Sequence, residues 1–249
     1  MKNILNKIYI HPLFIIALFV FVSIGYFRFL IYFMMLILVH ELGHIIISLL
    51  FKWNIDRIII LPFGGLTKYN EMINRPLIEE FLIAISGVIF QFLFYLLIKD
   101  FVYYKYFSAI NYFIILFNLI PIYPLDGSKI LNIFFNLITT FKNSLSLTII
   151  ISYIFIIIFS LLFFNINKII AFVIIFLLLE VNRLYKERKE LFNKFLLERY
   201  LNEFKFKKKK TIKSVDKMKK DYRHLFYIDG KYLTEKYFLK KMFDIRGIL

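Results

Sequence analysis

The stretch LILVHELGHIIISLL, residues 36–50, lies inside an apolar run that extends from Phe29 to Phe51 and carries two histidines and a glutamate. A run of about 20 apolar residues is long enough to cross the hydrocarbon core of a bilayer as a helix. An ionisable side chain near the bilayer centre costs about 2.5–3.5 kcal/mol on insertion scales, so its presence there points to function. His40 and His44 are four residues apart, which sets both imidazoles on one face of a helix. That HExxH spacing lets two ring nitrogens reach one zinc ion while the glutamate beside the first, Glu41, contacts the attacking water. The alternative is a pair of hydrogen-bonded core histidines, and the apolar setting weighs against it.

Composition narrows the chemistry. The 249 residues are 60% hydrophobic and include no cysteine. Such a composition reads as a membrane protein. It excludes a disulfide framework and a thiolate metal site, so a metal must be held by histidine nitrogen and carboxylate oxygen. The net charge of +16 is uneven: residues 1–182 hold 12 basic and 8 acidic side chains, residues 183–249 hold 21 and 9. A basic tail beside a membrane domain points to the cytoplasmic side and to anionic lipid, rather than to nucleic acid.

Six apolar segments are candidates to span, at about 12–27, 29–51, 80–98, 107–120, 146–164 and 168–181. The fourth and sixth are short by the 20-residue rule. The first follows Lys2 and Lys7 but lacks a small-residue cleavage site, so it reads as an uncleaved span. With the N-terminus inside, the inner loops hold Lys52, Arg57, Lys68, Arg75, Lys129 and Lys142, and the outer loops hold Arg28, Lys99, Lys105 and Lys168. Both termini are therefore expected in the cytoplasm. The expected fold is an α-helical polytopic membrane protein of about six transmembrane helices with a small C-terminal cytoplasmic α/β appendage. The division is 1–182 as the membrane domain, 183–210 as a basic juxtamembrane helix and linker, and 211–249 as the appendage. Within the last, HLFYI reads as a strand, Asp229-Gly230 as a turn and TEKYFLKKMF as a helix.

Two histidines do not complete a catalytic zinc site, which ordinarily has three protein ligands. Glu79 and Glu80 sit at the start of the third span. Asp126, in NLIPIYPLDGSKI (118–130), is the better candidate, because Pro121 and Pro124 end the fourth span and leave Asp126-Gly127 in non-helical backbone near membrane depth. Taken alone, that segment also suits an ordinary turn. RIIILPFGGLTKYN (57–70) reads as a strand and tight turn.

Together, HELGH and NLIPIYPLDG resemble the two motifs of the site-2 protease family of intramembrane zinc metalloproteases. The resemblance implies His40, His44 and Asp126 as zinc ligands, Glu41 as general base, and Asn118 near the metal, steadying substrate or transition state. HPLF, LPFGG, NRPLIEEF and FLLERY further resemble the stage IV sporulation proteases of this family, which clip the pro-sequence from a sigma factor in the mother-cell membrane around the forespore. That implies a membrane-associated regulatory substrate, and it leaves room for inhibitory membrane-protein partners and for a homo-oligomer. The C-terminal region is similar to a single CBS domain, without the Gly…Asp ribose-binding pattern many such modules carry. In the family the segment near LPFGG offers a strand edge to substrate; a plain hairpin is the other reading. Where the family often has Gly-Pro in the third span, this chain has Gly87-Val88. A competing class, a membrane metal-binding or transport protein, predicts more polar residues along the spans than Ser86, Gln91, Asn111 and Asn118.

Overall fold

The computed structural model describes residues 7–61, 64–163, 168–228 and 230–246. In chain order these form β1 (Ile8–Ile10), α1 (Pro12–Ser23), α2 (Phe27–Leu50), β2 (Ile55–Leu61), β3 (Gly64–Tyr69), α3 (Leu77–Ile98), α4 (Phe107–Leu119) and α5 (Asp126–Ile138). There follow α6 (Phe141–Phe163), α7 (Lys168–Leu201), β4 (Lys208–Ile212), β5 (Tyr222–Ile228), β6 (Lys231–Thr234) and α8 (Glu235–Arg246). Among the described residues, three helical stretches, Phe27–Leu50, Leu77–Phe101 and Phe141–Leu162, are long and apolar enough to cross a membrane, and Phe14–Ser23 and Phe107–Leu119 are shorter apolar helices. Leu38, Leu42, Leu93, Leu97, Ile157 and Leu161 point outward from them. An apolar exterior of that kind suits lipid and would be a liability in water.

The chain divides into two compact units. The first holds the residues through Glu71, then Phe81–Ile120 and Leu125–Gly127. Its centre is a cluster of Phe33, Leu36 and Ile37 from α2, Tyr95 from α3, and Phe107, Ile110 and Ile114 from α4. Beside the helices lies a sheet in the order β1-β2-β3, with β1 parallel and β3 antiparallel to β2. Ile60 pairs with Gly65 and Ile58 with Thr67. The strand expected in 57–70 is therefore present as two strands; Pro62 and Phe63, where its turn was expected, lie outside the described residues. Strand β1 carries no sequence signal beyond three β-prone residues, and its order comes from pairing with β2.

The second unit holds Met72–Glu80, Pro121–Pro124 and the chain from Ser128 onward. Here α7 runs unbroken from an apolar first half into the charged segment that begins at Asn182. Phe195 and Leu196 near its end pack with Phe141, Ile212, Met218, Phe226, Leu239 and Phe243. Lys208–Lys210, expected in a linker, form the start of β4, which pairs in parallel with β5. Exposed lysines on an edge strand keep their charges in water while the backbone pairs on the other side. Burial is made tolerable for Arg199 by donation to Asn74 Oδ1 at 2.6 Å and to the carbonyls of Tyr222 and Lys219. Glu198, next along α7, accepts from the backbone N–H of Ile73 and Asn74 at 3.0 and 3.1 Å. Burial pushes His224 below its ordinary range, against the pull of its neighbour Glu235.

Helix α5 was not foreseen. At 13 residues it falls short of a span, yet Ser128, Asn132 and Asn136 recur every fourth residue along it, which marks an amphipathic helix. Asp126 is its first residue, so it sits at a helix start rather than in the non-helical backbone expected. A carboxylate is favoured there by the helix dipole.

Candidate active site

Helix α2 turns Leu36, Ile37, His40, Glu41, Gly43, His44 and Ser48 inward. His40 and His44 occupy successive turns, and Asp126 at the start of α5 meets them. Asp126 Oδ2 stands 3.0 Å from the Nε2 atom of each histidine, and the two Nε2 atoms are 3.2 Å apart. All three residues are buried.

The outer faces of the rings supply oxygen acceptors at Nδ1, which favours the tautomer a metal needs. Nδ1 of His44 donates to the Ile83 carbonyl at 2.7 Å, and Nδ1 of His40 donates to Gln91 Oε1 at 3.0 Å. With the proton on Nδ1, the neutral ring presents a lone pair at Nε2. In that form two ring lone pairs and a carboxylate oxygen converge, a set of three acceptors suited to a cation. Tetrahedral zinc with bonds of about 2.0–2.1 Å sets its ligand atoms about 3.3 Å apart, close to the separations found. Gly87 supplies the room. A Cβ there would come within 2.4 Å of His44 Nε2 and 2.7 Å of His40 Nε2. The residues fit a zinc ion.

Glu41, one residue from His40, is buried, and its Oε2 accepts from Thr67 Oγ1 at 2.8 Å. Strand β3 passes so close that a Cβ on Gly65 would stand 2.4 Å from the Glu41 side-chain carbons and 2.6 Å from Oε1. The backbone of β3 therefore lies against Glu41. The other sequence candidates have partners of their own. Asn118 donates within α4 to the Ile114 carbonyl at 3.0 Å. Glu79 pairs with Arg75 at 3.7 Å, and Glu80 pairs with Lys220.

Sequence reasoning does not single out Thr67 or the carbonyl of Ile83, and it names Gly65 only within a turn and Gly87 only as part of Gly87-Val88. It named Gln91 only as an isolated polar residue, although an amide in the middle of a span was signal enough to ask for its partner. Nothing local to Thr67 or Gly65 announces that their strand reaches α2.

A site of this kind, set among helices of membrane-spanning length, defines a class: a metal-dependent hydrolase built into a membrane protein. Residues 28–105 match the model of peptidase family M50. The chain is 32% identical over 230 residues to stage IV sporulation protein FB of Bacillus subtilis, covering 87% of this chain and 80% of that one. It is 31% identical over 104 residues to a zinc metalloprotease of Methanocaldococcus jannaschii, covering 38% of this chain and 30% of that one. Its fold is similar to the solved site-2 protease from Methanocaldococcus jannaschii, with a TM-score of 0.58 and 23% identity, over 71% of this chain and 89% of that one. The chain belongs to peptidase family M50, the site-2 proteases, and is an intramembrane zinc metalloprotease.

Proposed function

We propose that this protease cleaves a membrane-associated regulatory protein, the pro-sequence of a sporulation sigma factor, using His40, His44 and Asp126 as zinc ligands and Glu41 as general base. The observation that carries the chemical part is the meeting of two ring nitrogens and one carboxylate oxygen, with Glu41 next to His40. The substrate reading is supported by likeness to the sporulation protein over most of both chains.

Zinc, when bound, polarises the scissile carbonyl and makes a water acidic enough to be used near neutral pH. Glu41 takes the proton from the attacking water and hands it to the leaving amine nitrogen, so one carboxyl serves as base and then as acid. Thr67 holds Oε2 of that carboxyl, and Oε1, beside Gly65, is left for the proton transfer. Strand β3 offers its free edge to an extended substrate, and main-chain bonds along it keep the peptide unwound for attack. Asn118 steadies the substrate near the end of α4. Six spans, cytoplasmic termini, a CBS-like C-terminal module and anionic lipid along the basic tail complete this reading, supported by the loop-charge bias.

Co-expression with a candidate pro-sigma factor tests the substrate: a size shift that needs Glu41 supports it, and an intact pro-form beside active enzyme rejects it. The role of Thr67 has its own test. One hydrogen bond is worth about 1 kcal/mol, so Thr67→Val should lower kcat about fivefold with KM and zinc content unchanged, and Thr67→Ser should restore it. Equal kcat in the valine variant removes Thr67 from the mechanism.

A further inference from the structure

Gln91 is fully buried in α3 and Asn111 fully buried in α4. Polar amides in such a setting are costly unless their hydrogen bonds are made. Gln91 Nε2 donates to the backbone carbonyl of Asn111 at 3.2 Å and to its side-chain Oδ1 at 3.0 Å. A backbone carbonyl can only accept, so the NH2 end of Gln91 must face Asn111 and the oxygen end must face His40. Opposite that oxygen, His40 Nδ1 at 3.0 Å can form a hydrogen bond only as an N–H.

We infer that Gln91, oriented by Asn111, is a positioning residue that holds His40 with its proton on Nδ1 and its Nε2 lone pair turned toward the zinc site. The two histidines differ in this respect. His44 is anchored by the main-chain carbonyl of Ile83, which side-chain replacement leaves in place. His40 depends on a side chain. Without Gln91, the His40 ring is free to move its proton to Nε2 and donate to Asp126 Oδ2, 3.0 Å away, a bond that competes with metal. Outer partners of metal-bound histidines act in this way, and their loss typically weakens metal binding 10–100-fold.

This inference rests on the reading that His40 binds zinc, and the experiment separates the two. Zinc affinity is measured by chelator competition on the full chain in detergent. Gln91→Leu, similar in volume and compatible with lipid, should bind zinc about 10–100-fold more weakly while keeping the thermal transition of the zinc-free protein. Asn111→Ala keeps the main-chain acceptor and should lose less. With only four histidines in the chain, 15N-labelled imidazoles give a readable spectrum, and zinc-free wild-type protein should show His40 protonated on Nδ1. Unchanged zinc affinity in a folded Gln91→Leu protein overturns the inference, as does an Nε2-protonated His40 in the zinc-free wild type. If the leucine variant does not fold, the wild-type spectrum decides. Zinc retained in full by His40→Ala overturns the ligand reading instead.

Discussion

Gly87→Ala will leave the protein without zinc as completely as removing a ligand does. The glycine stands where α3 faces the two imidazoles, and an alanine methyl would lie 2.4 Å from His44 Nε2 and 2.7 Å from His40 Nε2. Contacts that short do not persist. The rings cannot yield easily either, since each is tied at Nδ1, one to Ile83 and one to Gln91. The methyl therefore pushes the rings off their anchors or fills the space the metal needs. Wild-type protein should purify with about one zinc per chain on the three-ligand logic. Gly87→Ala and His44→Ala should both fall below about a tenth of that and lose cleavage, with the helical content of both unchanged by circular dichroism. Stoichiometric zinc in the alanine variant would show that the metal is held elsewhere.

The residues proposed as zinc ligands carry signals in the sequence. Helical spacing sets His40 and His44 on one face, and Asp126 is named by the resemblance of its segment to a family motif, since its turn formers alone also suit an ordinary turn. Their partners were not legible, for a physical reason. Gly87 and Gln91 matter through what α3 packs against, and a glycine or an amide in an apolar run has no spacing that reveals its neighbour. Thr67 reaches Glu41 only because Ile58 and Thr67 are cross-strand partners in a sheet that lies against α2. The helices divide along the same line. Long apolar runs announced α2, α3 and α6, where length and hydropathy suffice. Helix α5 went unseen because search by apolar length discards a 13-residue amphipathic segment. The lysines of β4 concealed a strand whose order comes from β5, not from its own residues.

Glu41→Gln should separate binding from chemistry. Glutamine keeps the length of the side chain and an oxygen that can accept from Thr67 Oγ1, which lies 2.8 Å from the carboxylate. The contacts with β3 and the fold around Gly65 should therefore survive. What the amide cannot do is take a proton from water and give it to the leaving nitrogen. General acid–base catalysis by one side chain is worth about 10²–10⁴ in rate, so kcat should fall by that factor while zinc content and KM stay near wild type. A metal-transport protein would not behave this way, since its metal binding and its activity would change together. The threonine supplies a second reading of the same carboxyl. If Thr67 acts only by orienting Glu41, Thr67→Val should lower kcat in the wild-type background and have no further effect in the Glu41→Gln background, the non-additivity expected of residues that work as one unit. Independent, additive losses would assign Thr67 a role apart from the base. Near-normal turnover by Glu41→Gln alone would remove Glu41 from the chemistry altogether.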